Sequence, residues 1–298
     1  LTTGEFHSIL GKDRINVRMT LRARRTKKSY MNDFNKTEAS SFNKIASVYD
    51  EVRPGYPEEV YSTISQYVNY NKYSKLLEIG AGQGIATEEI YKKWQSSITA
   101  IEPGIHLYNM MDKKFKDISQ INIINTTFEE FNTNTQYDGI FSATAFHWID
   151  SKVKYKNAHD LLKDNSFIFL YWNNYGISNG ELENQIRQIY TKYGFPKSKA
   201  TSDQIRNDKI EKRKNEIIQS GLFSLIEHKV INTSKRYDVK SYIKLLQTFP
   251  DHSKEKIPSI DNMFKDIEDI ILAKNDYIDV KVVVNLEIAK KILTTAST

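Results

Sequence analysis

Two carboxylates and three glycines carry the first chemistry to be read in this chain. Lys75-Leu-Leu-Glu-Ile-Gly-Ala-Gly-Gln-Gly84 runs from an apolar segment (Leu76, Leu77, Ile79) into glycines at positions 80, 82 and 84. The pattern reads as a buried strand, a tight turn and the start of a helix. Without Cβ atoms the turn can take positive φ and admit a ligand close to the main chain. Glu78 stands at the end of the buried strand, where a carboxylate is costly unless something pairs with it, and a cationic ligand would be such a partner. Glu102 ends a second apolar segment, Ile98-Thr-Ala-Ile-Glu-Pro103, 18 residues past Gly84. Nucleotide-binding α/β folds place there the acid that accepts hydrogen bonds from ribose hydroxyls.

These groups need strands and helices to hold them, and the downstream pattern provides both. Ala86, Ile90 and Trp94 make one apolar helix face after the glycine turn. Further strands are expected at Ile121–Ile124, Tyr137–Ala143, Phe167–Trp172, Leu222–Ile231 and Val282–Ile288, the last as an antiparallel edge. Helices are expected over Val153–Leu162 and Gly180–Tyr193, followed by a polar, charged segment to about Asn215. Tyr237–Tyr277 reads as mostly helical, with Val239, Tyr242, Leu245 and Leu246 on one face. The alternation predicts an α/β fold: a Rossmann-like, seven-stranded, mostly parallel sheet with helices on both faces and a helical cap. Ligands are then expected at the carboxyl ends of the strands. The expected organisation is a basic, disordered or non-native extension over 1–30, an N-terminal helical lid over 31–70, and a main domain over 71–298 with a helical insertion at about 237–280.

Composition narrows the chemistry. The chain has no cysteine, which removes disulfides, Cys-ligated zinc, iron–sulfur clusters and a thiolate nucleophile. No metal is expected. No apolar run approaches the ~18 residues of a membrane span, so a cytoplasmic protein without a membrane partner is expected. Residues 1–30 hold eight basic and two acidic side chains, which accounts for the whole net charge of +6. The body is neutral, so nothing in its net charge argues for a polyanion, and no nucleic-acid partner is expected. The Arg-rich leader has an organellar presequence as its alternative reading.

Upstream of the glycine turn, Phe42-Asn-Lys-Ile-Ala-Ser-Val-Tyr-Asp50 leads to Glu51-Val-Arg-Pro-Gly-Tyr-Pro57. Two prolines around a glycine impose a stiff, extended turn that could cap a pocket. Tyr49, Arg53 and Tyr56 are equally compatible with core packing and with facing a ligand.

On these residues the chain resembles the class I S-adenosylmethionine-dependent methyltransferases, and within them it is similar to the small-molecule group that includes trans-aconitate methyltransferases. Glu78-x-Gly80-x-Gly82-x-Gly84 resembles the first motif and Glu102 the ribose acid. Thr127-Phe-Glu129 resembles the adenine-side loop, and Ala143-Thr-Ala-Phe-His-Trp148 the fourth motif. The resemblance covers residues 42–175 best. It implies S-adenosyl-L-methionine as cofactor, held by Glu78, Gly80, Ala81, Gly82, Gly84, Glu102, Pro103, Thr127, Phe128, Glu129, Thr144 and Ala145. Phe128 would present an apolar face to adenine.

The implied partner is a small-molecule methyl acceptor, and the implied state a monomer or homodimer. At the end of the fourth strand His147 would face the acceptor and serve as general base for a hydroxyl or amine. A carboxylate acceptor would need no base, and alignment in a water-poor site would suffice. Tyr49, Arg53, Tyr56, Trp148 and Trp172 are the substrate-side candidates, with Arg53 or Arg236 as the cation for an anionic acceptor. Three rivals stand beside this reading. A nicotinamide-dependent oxidoreductase would carry Gly-x-Gly-x-x-Gly, where Ile85 stands here. A nucleic-acid base methyltransferase would show a cysteine or an Asp/Asn-Pro-Pro-aromatic clamp. A non-catalytic S-adenosylmethionine-binding protein would be expected to have lost glycines or the ribose acid.

Overall fold

The structure is a computed structural model and describes residues 52–195, 202–249 and 251–293. Tyr49, the extension over 1–30 and most of the expected lid lie outside the described residues.

β1 (Lys75–Ile79) is buried along four consecutive residues, as a central parallel strand must be. Its alternate side chains serve opposite faces. Leu76 packs with Val60, Ile64, Ile90, Phe141 and Phe169 on one side. Leu77 and Ile79 pack with Ile140, Ile168 and Leu170 on the other. α1 (Glu58–Ile64) follows Pro57 and carries Glu58 and Glu59 in its first turn, where negative charge suits the helix dipole. α2 (Ile85–Trp94), β2 (Ser97–Ile101), α3 (Ile105–Phe115), β3 (Ile121–Ile124) and β4 (Tyr137–Ala143) continue the alternation. α4 (Lys154–Leu161) leads into β5 (Leu162–Ile177), α5 (Gly180–Lys192), α6 (Ser202–Gln219) and β6 (Phe223–Asp238). α7 (Val239–Gln247), α8 (Ile260–Leu272) and β7 (Tyr277–Lys291) complete the described chain.

The seven strands form one sheet in the order β3-β2-β1-β4-β5-β7-β6. The first five pair in parallel, and β7 runs antiparallel to both of its neighbours. The strand order reverses between β1 and β4, which leaves a crevice beyond their carboxyl ends. α7 and α8 form the cap. Their apolar faces, with Tyr242, Leu246, Met263 and Ile267, pack on Val280 and Val282 of β7. α7 is started by Asp238, whose carboxylate accepts from the Ser241 N–H at 2.9 Å, a cap of about 1 kcal/mol.

Two expectations are corrected. The seventh strand is antiparallel but is no edge: β7 lies between β5 and β6, and β6 is the outer strand. The reason is legible in burial, since β7 from Val282 to Ala289 is enclosed while β6 exposes many of its residues. The polar segment before Asn215 is the helix α6. Its buried face rests on Ile210 and Ile217, seven residues apart, and short-range pairs such as Arg206–Asp203 and Lys214–Glu211 support its outside. Among the described residues no helix is long and apolar enough to cross a membrane, and no three His, Cys, Asp or Glu side chains gather as metal ligands would.

Gly139 in β4 shows how tightly the sheet face under Tyr70 is filled. A Cβ there would overlap the Tyr70 ring, whose hydroxyl donates to the Asp138 carbonyl at 2.8 Å. Gly139→Ala is expected to destabilise the fold by about 1–3 kcal/mol through overpacking. Thermal melts should show the loss, and adding Tyr70→Leu should recover part of it.

Candidate active site

Beyond β1 the chain turns through Gly80 and Gly82 with φ of 68° and 62°, values that disfavour any side chain with a Cβ. The Gly80 and Ala81 N–H groups donate to the Ile101 carbonyl at 2.9 and 3.0 Å, tying the turn to the end of β2. A Cβ at position 80 would collide with the Ala145 methyl, so the turns after β1 and β4 touch there. At Gly82 nothing stands within 4 Å of a Cβ position, and that residue borders the crevice. Gly84 does not border it. It is the residue before α2, and a Cβ there would collide with the Phe115 ring and crowd Met111.

The two acids of the crevice differ in kind. Glu102 is clamped: Oε2 accepts from Gly82 N–H and Oε1 from Gly104 N–H, each at 2.8 Å. Asn125 fixes the Glu102 carbonyl at 2.8 Å. Burial raises the Glu102 pKa while the two N–H donors oppose that rise. A carboxylate has room for about four hydrogen bonds, so each oxygen can still accept from a ligand. Glu78 is left half-satisfied. Its Oε2 accepts from the Thr87 hydroxyl, while Oε1 is buried with no partner and borders the crevice. Burial pushes its pKa up to about 8, with Glu102 adding to the rise and the Thr87 hydrogen bond and Lys114 opposing it. An orphaned carboxylate oxygen beside an open glycine turn suits an ammonium or sulfonium ligand, and the clamped acid suits a ribose. These residues fit S-adenosylmethionine.

The other wall begins at Thr144, which holds φ 58°, a costly conformation for a β-branched residue. Three contacts hold it: its N–H donates to the Tyr171 carbonyl at 2.7 Å, its hydroxyl pairs with the Tyr56 hydroxyl at 2.9 Å, and that oxygen accepts from Asn173 N–H at 3.3 Å. The turn delivers Phe146–Trp148, a single 3₁₀ turn with Phe146 in the core and His147 and Trp148 facing the crevice. Trp172, buried on β5, donates its indole N–H to His147 Nδ1 at 3.0 Å. An indole nitrogen can only donate, so His147 carries its proton on Nε2. Partial burial, then the charges of Arg213, Lys154 and Lys209, push the His147 pKa well below its ordinary value. The residue expected as a general base therefore stands as a neutral imidazole whose basic nitrogen is occupied and whose second nitrogen is a donor.

One crevice of about 2890 Å³ collects the remaining expected residues. That exceeds the roughly 300–1,000 Å³ of an ordinary ligand pocket and leaves room for a cofactor and an acceptor together. Ala81, Pro103, Thr127, Phe128, Glu129 and Ala145 line it. Phe128 also belongs to the core around Leu77 and Ile140, so packing and a cavity-facing edge coexist in one ring. Thr127 accepts from Glu130 N–H at 3.2 Å, and Glu129 accepts from Asp150 N–H at 3.0 Å, which ties the two loops together. Arg53 lies over the Tyr175 and Phe249 rings at 5.1 and 4.6 Å and donates to Thr248 from Nε at 2.9 Å. Tyr56 braces Thr144 and meets Tyr171 edge-on at 4.7 Å.

Arg236, expected as a cation for the acceptor, lies elsewhere. It is exposed on β6 and holds Asp279 at 2.7 Å. Cations that do line the crevice come from α6, namely Arg206, Lys209, Lys212 and Arg213, together with Lys152 and Lys154, and of these Arg213, Lys154 and Lys209 act on His147. A sequence signal for them existed in the spacing of Arg206, Lys209 and Arg213, three and four residues apart against Ile210 and Ile217.

Glu78 offers a direct test. In the free protein its carboxyl is mostly protonated below pH 8, and a cationic ligand requires it ionised, so binding must release a proton in that range. Calorimetric titration with S-adenosylhomocysteine should show affinity rising as pH increases from about 6 to 8 and levelling above, with heats that depend on the buffer's ionisation enthalpy. Glu78→Gln should weaken binding and abolish the buffer dependence. A pH-independent wild-type affinity would remove Glu78 as the cation's partner.

Comparisons with known proteins agree with this architecture. The family model described as "Ribosomal RNA adenine dimethylase" matches residues 57–164, the stretch that holds the glycine turn and Glu102. An uncharacterized methyltransferase of Schizosaccharomyces pombe is 20% identical over 231 residues, 78% of this chain and 87% of that protein. A malonyl-[acyl-carrier protein] O-methyltransferase of Priestia megaterium is 29% identical over 113 residues, 37% of this chain and 41% of the relative. This chain therefore spans less than half the length of that relative in the match. Among solved structures, a putative type II methyltransferase from Anaeromyxobacter dehalogenans superposes with a TM-score of 0.60 at 12% identity, covering 82% of this chain and 99% of that one. The matched model, the recurring methyltransferase relatives and the superposed structure, together with a crevice suited to a cationic nucleoside, all indicate a class I S-adenosylmethionine-dependent methyltransferase.

Proposed function

We propose that this methyltransferase O-methylates a carboxylate on a small molecule, within a domain running from about residue 71 to the end of the chain. The observation that carries the reading is the Trp172–His147 hydrogen bond at 3.0 Å, which occupies the nitrogen that would have to accept a proton. A hydroxyl acceptor, or an amine that arrives protonated, needs such a base, whereas a carboxylate arrives ionised. The cations along α6 support an anion at that end of the crevice. The name of the Priestia megaterium relative points the same way, because a malonyl group presents a free carboxylate. The ribosomal RNA model ends at residue 164, before Trp172, α6 and the cap, so it leaves out much of the acceptor end of the crevice.

Bound S-adenosylmethionine supplies an electrophilic methyl group on a sulfonium. The chain's own residues then have three tasks. Glu78 and Glu102 hold the charged and the ribose portions, with the Phe128 edge as an apolar wall. His147 Nε2–H and the ring of Trp148 border the acceptor, the first as a donor that orients a carboxylate oxygen. Trp148 and the buried Trp172 give the acceptor end apolar walls, which favour a reaction that turns two opposite charges into neutral products. The acceptor oxygen forms the new bond to carbon, the carbon–sulfur bond breaks with its electron pair going to sulfur, and no proton moves.

Assays over a panel of carboxylic acids, read by mass spectrometry for methyl esters, should find turnover, and matched alcohols and amines should give none. At saturating cofactor, kcat should be flat between about pH 6 and 9, because no residue titrates as a base. His147→Ala should cost about tenfold, the loss of one orienting hydrogen bond. A loss of 10²–10⁴ with a sigmoidal pH profile, the signature of a general base, would overturn the reading.

A further inference from the structure

Arg213 presents an anomaly that neither the cofactor nor the reacting carboxylate resolves. Its guanidinium carbon lies over the Trp172 ring, 4.0 Å from the centroid, and the same indole holds His147. It borders the crevice, yet its Nη1 is buried without a hydrogen-bond partner. The acids around it do not pair with that nitrogen. Glu216, a turn along α6, is engaged by Lys154 at 2.7 Å. Glu287, on β7 behind it, is fully buried, and neither of its oxygens has a hydrogen-bond partner, Arg213 included. A buried cationic donor without an acceptor carries a penalty of roughly 1–3 kcal/mol or more, which an incoming anion would relieve. Lys209 and Lys212 line the crevice from the same helix and extend the positive surface from Arg213 toward solvent.

We infer that Arg213 is the specificity-determining residue of the acceptor site and binds a second anionic group of the acceptor, one that is not methylated. The inference rests on the carboxylate reading above and refines it. The reacting carboxylate is the poorer choice for Arg213. Charge on the nucleophilic oxygen disappears in the transition state, so a guanidinium paired to it would stabilise the ground state more and slow the step. Paired to a group whose charge persists, the same guanidinium lowers both states equally and raises affinity without altering kcat. The preferred acceptor is then at least a dianion, with one carboxylate at His147 and a second carboxylate or a phosphate on Arg213. Lys209 and Lys212 face any further anionic group.

The experiment compares dicarboxylic acids of four to six carbons with their monoamides, which keep the skeleton and remove one charge. Wild type, Arg213→Gln and Arg213→Lys are titrated calorimetrically as complexes with S-adenosylhomocysteine and then assayed with the methyl donor. S-Adenosylhomocysteine affinity should be the same in all three, showing an intact fold and cofactor site. At least one diacid should bind wild type about tenfold or more tighter than Arg213→Gln, with Arg213→Lys between, because a guanidinium's two-pronged contact is only partly replaced by an ammonium. The monoamide should not distinguish the variants. For a turned-over diacid, KM should rise by the same factor in Arg213→Gln while kcat stays within about twofold. Equal diacid affinity in wild type and Arg213→Gln, equal affinity for diacid and monoamide, or a loss confined to kcat would each overturn the inference. Arg213-dependent binding of a diacid that is never methylated would leave the anion site standing and defeat the carboxylate reading alone.

Discussion

The site depends on one steric contact, the Ala145 methyl occupying the volume that a side chain at position 80 would need. The loops after β1 and β4 are neighbours at the reversal of strand order, but parallel pairing alone does not bring them into touch. The missing Cβ at Gly80 allows it, and the positive φ of Thr144 aims the following turn into the crevice. Three hydrogen bonds, one of them from the N-terminal segment through Tyr56, hold that strained residue. The cofactor loop, the acceptor loop and the entry segment thus form one mechanical unit. A side chain at position 80 would push the loops apart and move His147 relative to the methyl donor, even though position 80 touches no acceptor.

The crevice contains buried charges in three distinct states, and the differences follow from their neighbours. Glu102 has two backbone N–H donors and is set in place before any ligand arrives. Glu78 has one hydroxyl and one bare oxygen, so its charge waits for a cation. Arg213 mirrors Glu78 at the other end, a bare donor nitrogen that waits for an anion. Leaving polar atoms of Glu78 and Arg213 buried and unpaired costs stability in the free protein. It also makes ligand binding the event that completes both.

The donor half was legible in sequence because its signals are local. The apolar run of β1, the alternate glycines and the acid after β2 lie within 28 residues, and strand, turn and helix each carry their own pattern. What failed to show depends on partners distant in the chain. The inner position of β7 follows from pairing with two strands whose paired residues lie 39 or more positions upstream. The packing of Phe115 from α3 against Gly84 likewise depends on a residue 31 positions away. The proton position on His147 is dictated by Trp172, 25 residues away and on a different strand. No local pattern could have distinguished a base from a donor there.

Charge misled for a related reason. The folded body sums to zero, and a zero sum hides how the fold distributes its charges. Helical spacing gathers Arg206, Lys209, Lys212 and Arg213 of α6 along the crevice. Of the acids that balance the sum, Asp279 is spent on Arg236 at the outer strand, and Glu216, which lines the same crevice, is engaged by Lys154. Burial also pushes the Glu287 pKa up to about 8, so an acid counted as negative is mostly protonated near neutral pH. A formal count treats that side chain as cancelling a cation. In the folded protein it cancels little, and the acceptor end is more positive than the sum suggests.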